Sequence, residues 1–414
     1  MEIKYQAIKN RSKVLNLYPT TESWFWVRGS INPFRGCEHN CTYCDGKAEW
    51  YKIEKFGNLI RIKIDAPQRY EKELLAMGYR PEYRPKDNTL EAFLPDIRNK
   101  KPIKAESKPH FPIAVGGGVC DVYQPAEKKF NVTRQILMKS RDFGVPVMIL
   151  TKSNLVLRDL DVLSEINDLN YANISFSITL FNEEVKRIFE PKSASTLRRF
   201  EALNIIRQNK IPGGIMLMPI LPGIGDTEEN LKNIVKRAKE VGAEFIIPGG
   251  LTLKPGKNKQ EYLGVVRRHF PDLMPLYQDL YRDNKYGSPN SKKMLNACKI
   301  VHELCKQYHL SDRIPRYIPP GVHKKNFLVS TVLYNLAYYY QWVSEKQWKF
   351  SSPFTKGANV IESLSFDMSK MKRNELRNRI KLHREVFSVV LEILETGTST
   401  ALLEYQDPKT IFHE

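Results

Sequence analysis

INPFRGCEHNCTYCDG, residues 31–46, sets Cys37, Cys41 and Cys44 within eight residues at C-x3-C-x2-C spacing. Three thiolates on one tight loop hold three irons of a [4Fe–4S] cube and leave the fourth iron without a protein ligand. Structural zinc asks for four closed ligands. His39 lies inside the same loop and would complete a Cys3His set, so a small zinc knuckle stays open as an alternative. The chain has six cysteines in 414 residues. Clustering of three of them reads as a metal or cluster site, not as a disulfide framework.

Working outward, a strand candidate at 25–34 leads into the cysteines. Further β-rich runs follow at 111–118, 145–151, 172–179, 213–221 and 244–251. Helical patterns at 128–143, 155–169, 182–189, 195–209 and 226–241 separate them, the last opened by Asp226 and Thr227 and stopped by Gly242. Strands and helices at this rhythm predict an α/β fold of parallel βαβ units, either a barrel or a doubly wound sheet. Residues 45–110 are a charged, poorly periodic insertion interrupted by Pro81, Pro85 and Pro95. After 255 the pattern turns helical. One amphipathic helix is expected over 369–396, with Leu376, Ile380, Phe387, Val390 and Leu394 on its stripe and Gly397 as its stop. The expected organisation is an extension at 1–25, a core at 26–260 carrying the insertion, a helical closure at 261–322 and a helical domain at 323–414.

Composition limits the function only loosely. Apolar residues are 42% and charged residues 27% of the chain, as in an ordinary soluble protein. The opening residues form no secretory signal, and 327–343 is broken by Ser330, Thr331, Asn335 and Gln341, so no membrane partner and a cytoplasmic location are expected. The net charge of +19 favours a polyanionic partner such as DNA or RNA. Its local concentrations, 98–108 and 370–384, read equally as solvated faces.

The cysteine spacing, with Tyr43 before the last thiol, resembles the signature of the radical S-adenosylmethionine (SAM) superfamily, in the branch related to spore photoproduct lyase. The likeness continues through DVYQPAE (121–127), LTKSNLVLRDLDVL (150–163), FSITL (176–180), FEPKSASTLRRFEAL (189–203) and IMLMPILPGIGDTEEN (215–230). It implies an incomplete (β/α)6 parallel barrel with a helical C-terminal extension, a [4Fe–4S] cluster on Cys37, Cys41 and Cys44, and SAM as second cofactor. It also implies an electron donor such as ferredoxin or flavodoxin. By the same resemblance Tyr43 offers its backbone to the adenine, and Gly116, Gly117 and Gly118 cradle the methionine amino group. Lys152 faces the carboxylate, Ser177 hydrogen-bonds the cofactor, and Asp121 orients the sulfonium or the substrate. Glu190 and Arg199 are spaced as a structural ion pair, and 219–225 (PILPGIG) as a rigid turn at a strand end.

Two departures stand out. Asp45 follows the third cysteine where relatives often carry an aromatic residue. The lyase itself places a hydrogen-donating cysteine where Gly118 stands here, and Cys120 lies two residues later. Cys120 and Tyr123 are therefore the candidate hydrogen relays. Cys298, His302, Cys305 and His309 share a helical face, but a single helix does not wrap them around one ion, so a core-facing stripe is expected. Tyr338, Tyr339, Tyr340, Trp342 and Trp348 are expected in a hydrophobic core, with base stacking beside 370–384 as the other reading. The functions in contention are a radical enzyme acting on nucleic acid, one acting on a peptide or small molecule, and a non-catalytic zinc or iron–sulfur nucleic-acid-binding module.

Overall fold

The computed structural model describes residues 2–10, 12–81, 111–116, 119–282, 285–289, 292–344 and 348–413. Its strands are β1 (Lys4–Ile8), β2 (Leu15–Glu22), β3 (Val27–Ile31), β4 (Phe34–Arg35), β5 (Leu59–Lys63), β6 (Ile113–Val115), β7 (Val147–Thr151), β8 (Ala172–Ser177), β9 (Gly213–Ile220) and β10 (Ile246–Gly250). The main sheet runs in the order β10-β9-β8-β7-β6-β3-β2. All its pairings from β3 to β10 are parallel, and β2 closes the edge antiparallel to β3. This is the expected curled half-barrel of six parallel strands. A small second sheet, β1-β5-β4, lies within the first 63 residues. The insertion is thus partly regular, contributing β5 and the helix Ala66–Ala76.

Strand alternation divides the core into two layers. Val147, Ile149, Ile174, Phe176, Ile215 and Leu217 face the helices that cross between strands, where Ile136, Leu163, Leu203 and Ile234 meet them. Met148, Met216 and Ile247 point to the opposite, inner face. There they pack with Val332, Leu333 and Leu336 of the helix Lys324–Trp342. That helix is buried on every side, which explains its apolar sequence, and Tyr338, Tyr339 and Tyr340 lie in this core. The polar residues that interrupt 327–343 find partners there. Thr331 Oγ1 accepts from Arg316 at 2.9 Å, and Asn335 Oδ1 accepts from Arg313 at 3.1 Å. Among the described residues no helix is long and apolar enough to cross a membrane.

Three sequence expectations are corrected. The helix 369–396 is two helices, Arg373–Arg379 and Arg384–Thr396, with Ile380 extended between them. Arg373, Arg377 and Lys381 fall at i, i+4 spacing, where like charges oppose a continuous helix. Gly397, at φ +83°, does stop the second. The helix 128–143 divides at Asn131, which takes φ +54°. The Glu127 carboxylate accepts from Thr133 N at 2.9 Å and so caps the new start. His309 falls beyond its helix, Lys292–Tyr308, at φ +52°, and is exposed. Cys298, His302 and Cys305 are buried as expected, and His302 Nδ1 lies 2.8 Å from Asp312.

Leu336 has no exposed surface. Leu336→Ala is expected to cost about 2–5 kcal/mol of stability by leaving a cavity between helix and sheet. Trp50→Ala, at a residue 81% exposed, should change stability by less than about 0.5 kcal/mol. Urea denaturation midpoints of the two variants check the contrast.

Candidate active site

The cysteine loop leaves β4 through Gly36, which takes φ +92°. A Cβ there would sit 2.6 Å from the Leu59 carbonyl oxygen, so only glycine lets the loop turn this close to β5. Two tight turns follow, closed by Asn40 N to Cys37 O at 3.3 Å and Cys44 N to Cys41 O at 3.2 Å. Segments after β6 and β8 hold the loop from outside. Gln124 accepts from Glu38 N at 2.9 Å and donates to Gly36 O at 3.1 Å. The Glu38 carboxylate accepts from Ala126 N and from the Tyr5 hydroxyl. Thr42 N donates to Phe189 O at 2.9 Å. The Tyr43 hydroxyl donates to Glu190, which is ion-paired with Arg199, all three buried.

Held this way, Cys37, Cys41 and Cys44 line one cavity of about 280 Å³. The ends of the parallel strands complete it: Lys152 after β7, Ser177 closing β8, Met218 and Pro219 on β9, and Gly250 to Thr252 at β10. This is the end of a parallel α/β sheet where ligands bind. None of the cysteines is in a disulfide. Burial pushes all three thiols up, Cys41 to about 12. Such sulfurs become good ligands only where a cation displaces the proton. Three soft donors, two buried and Cys44 partly so, beside an open cavity fit an iron–sulfur cluster with one free position.

The same geometry disfavours the Cys3His zinc knuckle. The His39 ring nitrogens stand 3.2 Å from Lys192 O and 3.2 Å from Asp121 Oδ2. Among the described residues no three His, Cys, Asp or Glu side chains converge on one ion position.

The other expected site residues divide. Asp121, Lys152, Ser177 and Cys120 all line the cavity. Asp121 has little freedom: Oδ1 accepts from Tyr123 N and Thr151 Oγ1, both at 2.8 Å, and Oδ2 from Lys152 N at 2.7 Å. Burial raises its carboxyl, but His39 and the two amides outweigh that and hold it at about 2. It joins the loops after β6 and β7 and is no free base. Lys152 Nζ lies 5.7 Å from the centre of the Tyr43 ring. Gly116 takes φ +114° at the end of β6, with its N–H bonded to Ile31 O at 2.8 Å. Gly117 and Gly118 lie outside the described residues. Burial and the neighbouring Cys44 push the Cys120 thiol up to about 12.

Tyr123 is the exception. It is fully buried, and its hydroxyl donates to Asp159 at 3.1 Å within a network that includes Arg134 and Arg158. It does not line the cysteine cavity, so a radical relay through Tyr123 is not supported. Asp45 explains its own departure: it pairs with Lys254 at 2.6 Å and accepts from Tyr51 at 2.8 Å, an ionic tie to the segment after β10. Gln124 and Glu38, which clamp the loop, went unnoticed in the sequence because nothing local marks a side chain whose partners lie 88 residues away.

Glu190 gives a test with a defined sign. Burial raises its carboxyl, but Arg199 and Lys152 outweigh it and hold it at about 2, against an ordinary 4.5. A depressed pKa contributes stability that is complete above 4.5 and lost as pH falls through about 2. Glu190→Gln leaves Arg199 buried without its anion and should cost about 3–5 kcal/mol near neutral pH. In urea unfolding across pH, the gap between wild type and variant should hold steady above 4.5 and shrink below it. A gap that stays constant into strong acid contradicts this account.

Comparison with known proteins agrees with this geometry. A protein of Methanocaldococcus jannaschii is 30% identical over 200 residues, 48% of this chain and 62% of that protein. The chain therefore spans less than two thirds of that relative's length. A protein of Mycobacterium tuberculosis is 24% identical over 289 residues, covering 69% of this chain and 75% of that one. The structure of spore photoproduct lyase complexed with dinucleoside spore photoproduct is similar in fold. It has a TM-score of 0.50 and 14% identity over 73% of this chain and 79% of that one. Residues 31–238, which span the cysteine loop and the strands from β6 to β9, match the Radical SAM superfamily, and the chain belongs to that superfamily.

Proposed function

We propose that this chain is a radical SAM enzyme that holds a [4Fe–4S] cluster on Cys37, Cys41 and Cys44 and binds SAM in the adjoining cavity. The observation that supports it best is the meeting of three thiols outside any disulfide, Cys37 and Cys41 buried and Cys44 partly buried, with the ends of the parallel strands around one cavity. A cluster and SAM bound together supply a 5′-deoxyadenosyl radical, by one-electron cleavage of the cofactor's sulfonium.

The chain's own residues take defined parts. The clamp of Gln124, Glu38 and Glu190 fixes the direction of the thiols, and rigid placement of this kind is what binding-site geometry requires. Lys152 offers a positive charge to the carboxylate of the amino-acid moiety, and Gly116 lets backbone approach its amino group. Ser177 offers a hydroxyl to the cofactor, and Tyr43 its backbone to the adenine. Phe25, Phe56, Leu150 and Met218 make much of the remaining wall apolar, which excludes water from a reactive intermediate. Cys120 keeps its thiol hydrogen because burial holds it protonated, which suits it to hydrogen-atom donation.

The substrate class favoured is nucleic acid, in a lyase-like repair or modification. The net charge of +19 and the exposed cations Lys370, Lys372, Arg373, Arg377, Lys381 and Arg384 support it. The neighbour in fold was solved with a dinucleoside bound, which is a property of that protein.

Anaerobic reconstitution with iron and sulfide, followed by reductant and SAM, tests the proposal through 5′-deoxyadenosine. Cys37→Ala, Cys41→Ala and Cys44→Ala should each lose both cluster absorbance and product. A wild-type protein that takes up stoichiometric zinc and refuses iron refutes the reading. Lys152→Met should leave cluster content intact and raise the Kd for SAM about 10- to 100-fold, the loss of one charge-assisted contact. Equilibrium dialysis with labelled SAM measures it.

A further inference from the structure

His39 sits between Cys37 and Cys41 and lines two cavities at once. One is the cysteine cavity. The other is a separate cleft of about 410 Å³. Lys128, from the helix Ala126–Phe130, Lys192, before the next helix, and Arg198, in the helix Thr196–Gln208, stand around it. All three side chains are exposed, and none is ion-paired among the described residues. Arg158 also lines the cleft, but its charge is answered by Glu127 and Asp159. No carboxylate lines this cleft. Three separate elements thus present uncompensated positive charge around a pit whose wall includes His39 of the cysteine loop.

We propose that this cleft is the docking surface for an acidic electron-carrier protein of flavodoxin or ferredoxin type. The inference rests on the cluster reading above and adds the route by which the electron arrives. One electron leaves the carrier's reduced flavin or iron–sulfur centre and enters the cluster; no bond forms or breaks. Electron transfer slows steeply with distance, so a donor must sit against the shell of the cysteine loop, and His39 is part of that shell. Complementary charge raises the encounter rate and orients the carrier, and such redox encounters need only a small interface. A phosphodiester strand asks instead for a row of cations along its backbone, usually with aromatic platforms between them. Here the cations ring a pit, with Pro125, Leu155 and Ala194 among them.

The test uses the reconstituted holoenzyme and the triple variant Lys128→Glu, Lys192→Glu, Arg198→Glu. Flavodoxin binding is titrated by flavin fluorescence at low and high salt. Cluster bleaching is followed with reduced flavodoxin and, separately, with dithionite. The expected result is a Kd for flavodoxin raised at least about tenfold at low salt, with the wild type's salt dependence lost in the variant. Bleaching by flavodoxin should slow in proportion, while bleaching by dithionite, which needs no docking, keeps the wild-type rate. Unchanged flavodoxin binding and bleaching in the variant overturn the proposal. So does a variant that loses only its retention of a fluorescein-labelled oligonucleotide, which would make the cleft a phosphate surface. A wild-type protein that assembles no cluster removes the functional reading itself, an outcome distinct from both.

Discussion

Three thiols serve one cluster only if the loop that carries them cannot swing, and a loop of this length has no internal structure able to stop it. The restraint comes from the Glu190–Arg199 pair, to which Tyr43 is tied by its hydroxyl. An ion pair taken out of water is costly unless the remaining hydrogen bonds are supplied. Here they are supplied: Arg199 also reaches Ser177 O at 2.8 Å and Ala194 O at 3.0 Å. One guanidinium therefore links the end of β8, the turn before the next helix and, through Glu190, the cysteine loop. Geometry at the cavity is inherited from this point.

The inner face of the sheet imposes a second constraint. Six parallel strands curled into a half-barrel leave an apolar concavity, and Met148, Met216 and Ile247 line it. The helix Lys324–Trp342 fills that space, held by the buried guanidiniums of Arg313 and Arg316. With the interior occupied, the cavity used by the thiols is confined to the strand ends.

The sequence disclosed the parts of this arrangement that obey local rules. Alternating β-rich and amphipathic segments predicted the parallel strands because each βαβ unit buries one face by itself. The cysteine spacing placed three thiols on one loop because those residues are neighbours in the chain. Residues joined only by the fold stayed hidden. Gln124 gives no sign that it clamps Gly36, and Asp121 no sign that four groups already surround it. Tyr123 misled for the same reason: its nearness to Asp121 in the chain says nothing of Asp159, which holds it elsewhere. The break at Ile380 came from like charges on one face, which an apolar stripe does not weigh.

The distribution of charge completes the picture. A net charge of +19 spread at random would bind any polyanion equally well over the whole surface. Instead, acidic side chains that could quench the cations are themselves consumed inside: Glu38, Asp121, Glu127, Asp159 and Glu190 are each engaged by backbone or buried bonds. Anchoring the cysteine loop and its supports takes carboxylates out of the surface near that loop. The exposed Lys128, Lys192 and Arg198 are left unopposed as a consequence. The same demand that makes the site rigid thereby makes its outer wall positive.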